Sequence, residues 1–341
     1  MARSMRLFLV RHGETVDNVA QLYAGSRDSE LTNHGYQQAT RLGTHFRGVG
    51  LSFTHIFSSH LQRAAKTAGK IREAQLTRTN AEGLQQAVPD VIQLSLLMEQ
   101  DFGSMEGKKW YDRSPEVQLS GKEHHRQENK DTAGFVDVES KDAMAQRADT
   151  FLDEHLLLLL EDSAEATDLV VAIVSHGIFL SSLWKRILLR LPPKSVVLCP
   201  ELQATARPSL EHLGGWSNTG YLELCMTKTL LPDSTPAYLP SSPAETPATA
   251  EHVGKVELLP AATGDVATDQ QLAVEAPPLP AGLGIMSPTP RIAKGWTAKI
   301  LNINGKDHLK GLKRTGGGVG SSRHDASQKS IETFFKRRKV E

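Results

Sequence analysis

The sequence predicts an α/β fold: a three-layer sandwich with a mostly parallel sheet covered by helices on both faces, an inserted cap region, and a disordered C-terminal tail. Three observations predict it. Short apolar runs alternate along the chain with stretches of helical periodicity. Two of the apolar runs end in the same dipeptide, His12-Gly13 and His176-Gly177. Beyond residue 230 the alternation stops and proline accumulates.

The elements follow in order. Residues 7–10 form a short apolar run, a strand buried on both faces that ends at Arg11-His12-Gly13. Thr32 then caps a helix that carries Ala39, Leu42 and Phe46 at helical spacing. Residues 55–58 are the next strand, 62–73 the helix after it, and 91–94 the third strand. Residues 104–141 are polar and charged and read as a cap insertion. Residues 141–160 are one long helix, 169–175 a strand, 178–189 a helix, and 221–226 the last strand. Residues 1–230 thus form one domain. Residues 231–290 hold eleven of the seventeen prolines, too few apolar groups to offset their ordering entropy, and so read as a disordered linker. Residues 291–341 are a basic tail with no sustained amphipathic pattern.

Composition narrows the function classes. The net charge is zero but unevenly placed: the linker is acidic and the tail strongly basic, which suggests an anionic partner or an import signal. Two cysteines, Cys199 and Cys225, suit a reducing compartment better than a secreted scaffold. The run at 7–10 is too short for a signal-peptide core, and 169–174 is far too short to cross a bilayer. The expectation is a soluble intracellular protein with no membrane partner. His124-His125 lack partners at metal-ligand spacing, so neither metal nor cofactor is expected.

In an open parallel sheet, ligands bind beyond the carboxyl ends of the strands. His12 and His176 would both sit there. Arg63 opens the helix after the second strand, and Glu99 follows the third, on the same rim. Two arginines, two histidines and a carboxylate on one rim describe a site for a phosphate monoester. The guanidinium forks bind the dianion, one imidazole is a nucleophile, and a carboxyl group protonates the leaving oxygen.

The blocks carrying these residues run in a familiar order. They are Arg11-His12-Gly13-Glu14-Thr15 with Asn18; Tyr23-Ala24-Gly25; Leu31-Thr32 with Gly35 and Gln38; Ser58 to Ala64 with Arg63; Leu97-Met98-Glu99 with Gly103, Glu106 and Gly107; and Ser175-His176-Gly177. Together they resemble the histidine phosphatase (phosphoglycerate mutase-like) superfamily. The resemblance implies that His12 attacks phosphorus and becomes phosphohistidine. It implies that Arg11, Arg63 and His176 hold the equatorial oxygens, with Asn18 as an added donor and Gly13 and Gly177 turning the backbone beside the phosphate. It gives Glu99 the proton for the leaving alcohol, with Asp101 and Glu106 as alternative donors. Met105-Glu106-Gly107 stands where the mutases carry Leu-Gln-Gly, which favours a phosphatase over a mutase. The substrate class stays open between a phosphorylated small molecule and a phosphoprotein, because specificity in this family sits in the insertion.

The tail suggests a second kind of function. Gln328, Ile331, Phe334 and Phe335 fit the spacing of the box by which proteins bind the sliding clamp PCNA. Such a segment folds on binding and plugs apolar anchors into a pocket. Lys336-Arg337-Arg338-Lys339 follows and reads as a site for an import receptor, with direct contact to nucleic acid left open. The expected location is the nucleus, with the cytoplasm as a second one. Four Ser-Pro or Thr-Pro pairs in the linker are candidate phosphorylation sites. The alternative reading is a catalytically weak or inactive scaffold, a subunit in nuclear replication, repair or transcription. The intact set of His12, Arg63, Glu99 and His176 argues against it.

Overall fold

Seven strands form one sheet in a computed structural model of the chain, which describes residues 3–76, 87–110, 126–127, 129–161, 168–204, 209–228, 293–325 and 327. The strands are β1 (Ser4–Arg11), β2 (His55–Ser59), β3 (Val91–Leu94), β4 (Leu169–Ser175), β5 (Val196–Leu198), β6 (Tyr221–Lys228) and β7 (Trp296–Gly305). Their order across the sheet is β3-β2-β4-β1-β6-β7-β5. β1, β2, β3 and β4 pair in parallel, β6 runs antiparallel to β1 and β7, and β5 runs parallel to β7.

Both faces are covered because β1 is apolar on both. Phe8 and Val10 pack on one side against Leu42, Phe46, Ala68 and Ile71 of the helices α2 (Asn33–Gly48) and α3 (Gln62–Leu76). Met5, Leu7 and Leu9 pack on the other against Phe151, Leu180 and Leu183. Those residues come from α4 (Lys141–Phe151) and α6 (Gly177–Arg190). Alternation along a strand sends successive side chains to opposite faces, so a fully apolar run is what a central strand needs. A short α1 (Val16–Ala20) follows β1, and α7 (Pro200–Gln203) follows β5. No described helix is long and apolar enough to cross a membrane.

Thr32 caps α2 as expected, its side chain accepting from Gly35 N. The expected single helix over 141–160 is broken. α4 passes through a π-turn at Leu152–Leu156 into α5 (Leu157–Glu161). The extra residue in that turn shifts the register so that Leu152, Leu156, Leu157 and Leu160 all stay buried. The cap insertion is closed at its base, where Ser104 N donates to Val136 O and Val136 N to Ser104 Oγ. Residues 111–125 and 128 of the cap lie outside the described residues.

The largest departure from expectation is the tail. The chain divides into two units, residues 231–289 and the combination of 1–230 with 290–341. The first of these, which holds most of the linker, lies outside the described residues. Residues 293–325 are not an unpacked tail: β7 completes the sheet, pairing from Trp296↔Lys228 to Gly305↔Tyr221. The domain boundary expected at 230 therefore does not hold. Trp296, Ala298 and Ile300 alternate inward while Thr297 and Lys299 face solvent. This period-two signal is only five residues long, and polar Asn302 and Asn304 follow it, so a search for helical amphipathicity passes over it. β5, of three residues, is too short to register at all.

Candidate active site

The sheet register builds the site. β1 and β4 are parallel neighbours with Arg11 opposite Ser175, so each strand delivers its next residue, His12 or His176, to the same point on the carboxyl rim. His12 N donates to Ser175 O over 3.0 Å, and the two imidazole centroids lie 5.0 Å apart. Both rings are buried. The loop after β1 passes so close to α2 that a Cβ on Gly13 would stand 2.5 Å from Gly35 O. Gly13 is thus demanded by close approach. Gly177 needs no special backbone angle; a Cβ there would face Arg11 Nε at 3.7 Å, so glycine keeps that side of the guanidinium clear.

Hydrogen bonds fix complementary tautomers. His12 Nδ1 lies 2.7 Å from Gly13 O, which can only accept, so Nδ1 carries the proton and Nε2 the lone pair. His176 is the reverse. Its Nδ1 accepts from Arg63 Nε at 3.1 Å, so its Nε2 carries the proton, and that buried Nε2 has no partner. Burial pushes His12 well below the usual histidine range, and the charges of Arg63 and Arg11 push it further, against the raising effect of Gly13 O. His176 is pushed the same way by burial, then by Arg63, His12, Arg11 and Arg147. Both rings are therefore neutral at neutral pH, one with a lone pair on Nε2 and the other with an N–H there.

The two arginines do different work. Arg11 spends Nη1 on Trp216 O at 2.7 Å, while its buried Nε has no partner. Its Nε–Nη2 edge is a fork available to an anion. Arg63 was expected to bind the dianion in the same way. Instead it spends Nε on His176 and the rest on loop carbonyls: Nη1 on Arg27 O, Nη2 on Ala24 O and Gly25 O. One Nη1 proton is left for a ligand. A buried guanidinium cannot leave its donors unpaired, so the 24–27 loop wraps it.

Three carboxylates compete for the proton-donor role. Glu106 binds the amides of Gly25, Ser26, Arg27 and Phe102 with both oxygens, which makes it a staple for the loop. Asp101 Oδ1 accepts from Ser26 Oγ and Gly103 N. Glu99 Oε1 accepts from Gln100 N and Phe179 N, and Oε2 from Ile178 N alone. Oε2 is thus the oxygen with capacity left. Glu99 is also the carboxylate that acts on Arg11 and the first of those acting on Arg63.

Asn18 belongs to the capping box of α1, and its Oδ1 accepts from Thr15 N and Asn218 Nδ2. That orientation makes Nδ2 the donor end of its amide.

Several residues with no sequence signal also belong here. Asn218 Nδ2 donates to His12 O, and Thr219 N to both Arg11 O and His12 O. Arg147 donates to Leu96 O, Met98 O and Glu99 O while paired with Glu139, holding the segment that carries Glu99. Among the described residues no group of three or more His, Cys, Asp or Glu could hold a metal. Gln328, Ile331, Phe334, Phe335 and the basic cluster 336–339 lie outside the described residues.

Fold and site together define a class: an α/β protein presenting two neutral imidazoles and a free guanidinium edge on the carboxyl rim of its sheet, a setting suited to a phosphate group. The chain belongs to the histidine phosphatase superfamily, branch 1, whose family model matches residues 7–206. It is 33% identical over 189 residues to a probable phosphatase of Schizosaccharomyces pombe, covering 53% of this chain and 56% of that one. It is 33% identical over 190 residues to a probable phosphoglycerate mutase of Erwinia tasmaniensis, covering 54% and 75%. A broad-specificity phosphatase of Saccharomyces cerevisiae is 31% identical over 93 residues, covering 26% and 40%. The chain spans about half the length of the first curated relatives it matches.

Proposed function

We propose that the protein is a phosphomonoester hydrolase that works through a phosphohistidine on His12. The observation that carries this reading is the pair of opposed tautomers: a lone pair on His12 Nε2 beside an unpartnered N–H on His176 Nε2. In the proposed reaction the substrate's phosphoryl group sits between the rings, its oxygens held by the free edge of Arg11, by His176 Nε2–H and by the last Arg63 proton. His12 Nε2 forms the new N–P bond as the P–O bond to the alcohol breaks, and Glu99 supplies the proton that the leaving oxygen takes. Water then attacks the phosphohistidine, Glu99 takes its proton, and inorganic phosphate leaves. Asn18 adds a donor on the phosphate.

Hydrolysis is favoured over mutase-type transfer by Glu106, which staples the 25–27 loop at the position where mutases carry glutamine. The substrate is a phosphorylated small molecule or phosphoprotein. The test is hydrolysis of p-nitrophenyl phosphate and a panel of phosphorylated metabolites and phosphopeptides, without added metal. Turnover lost in His12→Ala supports the reading. No turnover by folded wild type on any substrate transfers the weight to the scaffold reading.

The proposal extends to location. The box 328–335 would bring the enzyme to PCNA, and the cluster 336–339 would engage an import receptor, making the protein nuclear. Support comes from the spacing of Gln328, Ile331, Phe334 and Phe335. A peptide covering 324–341 should bind PCNA and lose binding with Phe334→Ala/Phe335→Ala; equal affinity of the two peptides rejects the box.

A further inference from the structure

We infer that His308, far along the chain from His12, is a positioning residue for the phosphate site, and that the segment following β7 is a strap on the nucleophile loop. The inference rests on the hydrolase reading of that site.

The turn at Thr219 is strained. Thr219 has φ of 55°. A β-branched residue avoids this left-handed region and persists there only when its surroundings hold it. The strained turn has a clear consequence: Thr219 N reaches Arg11 O at 3.1 Å and His12 O at 3.2 Å, and Asn218 Nδ2 reaches His12 O at 3.2 Å. Two donors, through three hydrogen bonds, thus grip the backbone that carries the nucleophile.

What holds the turn is a short chain of hydrogen bonds. Thr219 Oγ1 donates to Asn218 O at 2.7 Å, so its lone pairs are left to accept. His308 Nε2 lies 2.9 Å away and must therefore be the donor. The buried Nδ1 then carries a lone pair, and it has no partner. His308 sits in the single turn Asp307–Leu309, immediately after β7.

The strap is pinned further along. Arg314 forks onto the Glu14 carboxylate, which also accepts from Thr32 Oγ1 at 2.8 Å. Asn33 N donates to Ser322 O at 3.0 Å, and the His324 ring stacks on Tyr36 at 3.6 Å. Each of these anchors lies on the nucleophile loop or on α2 and the residues leading into it. Packing alone would not require Arg314 to bind Glu14 or His308 to bind Thr219, the two polar contacts that fall on the nucleophile loop and on the turn that grips it.

The test uses the full chain with three changes: His308→Leu, His308→Gln and Thr219→Gly. Two quantities are read, kcat on p-nitrophenyl phosphate and the affinity for orthovanadate by calorimetry. His308→Leu keeps the volume and removes the donor; kcat and vanadate affinity should each fall about tenfold or more, since small misplacements of reacting groups are costly. His308→Gln, whose amide donates from a similar reach, should restore both. Glycine adopts the left-handed conformation unaided, so in a Thr219→Gly background His308→Leu should have little further effect. Unchanged kcat and affinity in folded His308→Leu overturns the inference. So does a Gln variant as impaired as the Leu variant, or an undiminished effect in the Gly background. If His308→Leu does not fold, the Gln variant and the Gly-background pair decide. Wild type that binds vanadate but turns over no member of the substrate panel defeats the hydrolase reading, while the affinity ratios still judge His308. Wild type with neither property defeats both.

Discussion

Arg63 Nε donates to His176 Nδ1 over 3.1 Å, and this bond decides which edge of the His176 ring faces the phosphate pocket. Because Arg63 is buried and also binds three loop carbonyls, it sets the tautomer and the loop together.

Arg63→Lys should therefore damage both function and fold. Lysine has no equivalent of Nε and cannot span Ala24, Gly25 and Arg27. We expect kcat/KM to fall roughly 10²–10³-fold and stability to drop by about 2–4 kcal/mol. Arg11→Lys should lower kcat/KM with a much smaller stability loss, because among the described residues the Arg11 guanidinium is hydrogen-bonded to Trp216 O alone. Parallel kinetics and urea unfolding separate the two; equal stability losses contradict the assignment.

The pH dependence of kcat/KM should lack a histidine limb near 6.5. His12 is held well below that value by burial and two arginines, so it stays a competent nucleophile as pH falls. After correction for the substrate's own second ionisation, near 6 for alkyl phosphates, the profile should be flat between pH 7 and about 5.5. A fall on acidification through 6.5 indicates a solvated histidine.

Stability should move the opposite way from a salt-bridged histidine. His308 is lowered from 6.5 to about 4, chiefly by burial. Between those values the unfolded chain binds a proton that the folded chain does not, so stability falls as pH drops through the window. The slope from this group approaches about 1.4 kcal/mol per pH unit. His308→Gln should show a shallower slope between pH 6.5 and 4, measured by denaturant unfolding at several pH values.

Glu99→Gln should discriminate among leaving groups. A substrate with an acidic leaving group needs little protonation, whereas an alkyl phosphate needs a full proton. The loss in kcat should thus be about tenfold or less for p-nitrophenyl phosphate and about 10²–10⁴-fold for alkyl phosphates. Equal losses for both would assign the proton to another group.

β1 and β4 were legible in the sequence because each is apolar on both faces, and their paired His-Gly ends placed the site on their rim. β7 was not, because its alternation through Trp296, Ala298 and Ile300 is too short to stand out in a basic segment. Trp296→Ala should show how much that segment matters: a buried tryptophan replaced by alanine costs about 3–5 kcal/mol, read as a lower unfolding midpoint of the whole domain. Thr219, Asn218 and Arg147 were invisible for a different reason. They act on backbone carbonyls, and no residue pattern announces where a carbonyl will lie.

The most direct measurement is to trap the reaction. Wild type mixed with excess substrate and quenched within milliseconds should carry phosphate that is stable in alkali and labile in acid, on the peptide containing His12. His12→Ala should carry none and should not turn over. Undiminished turnover in His12→Ala, or phosphate on another residue, would contradict the phosphohistidine account.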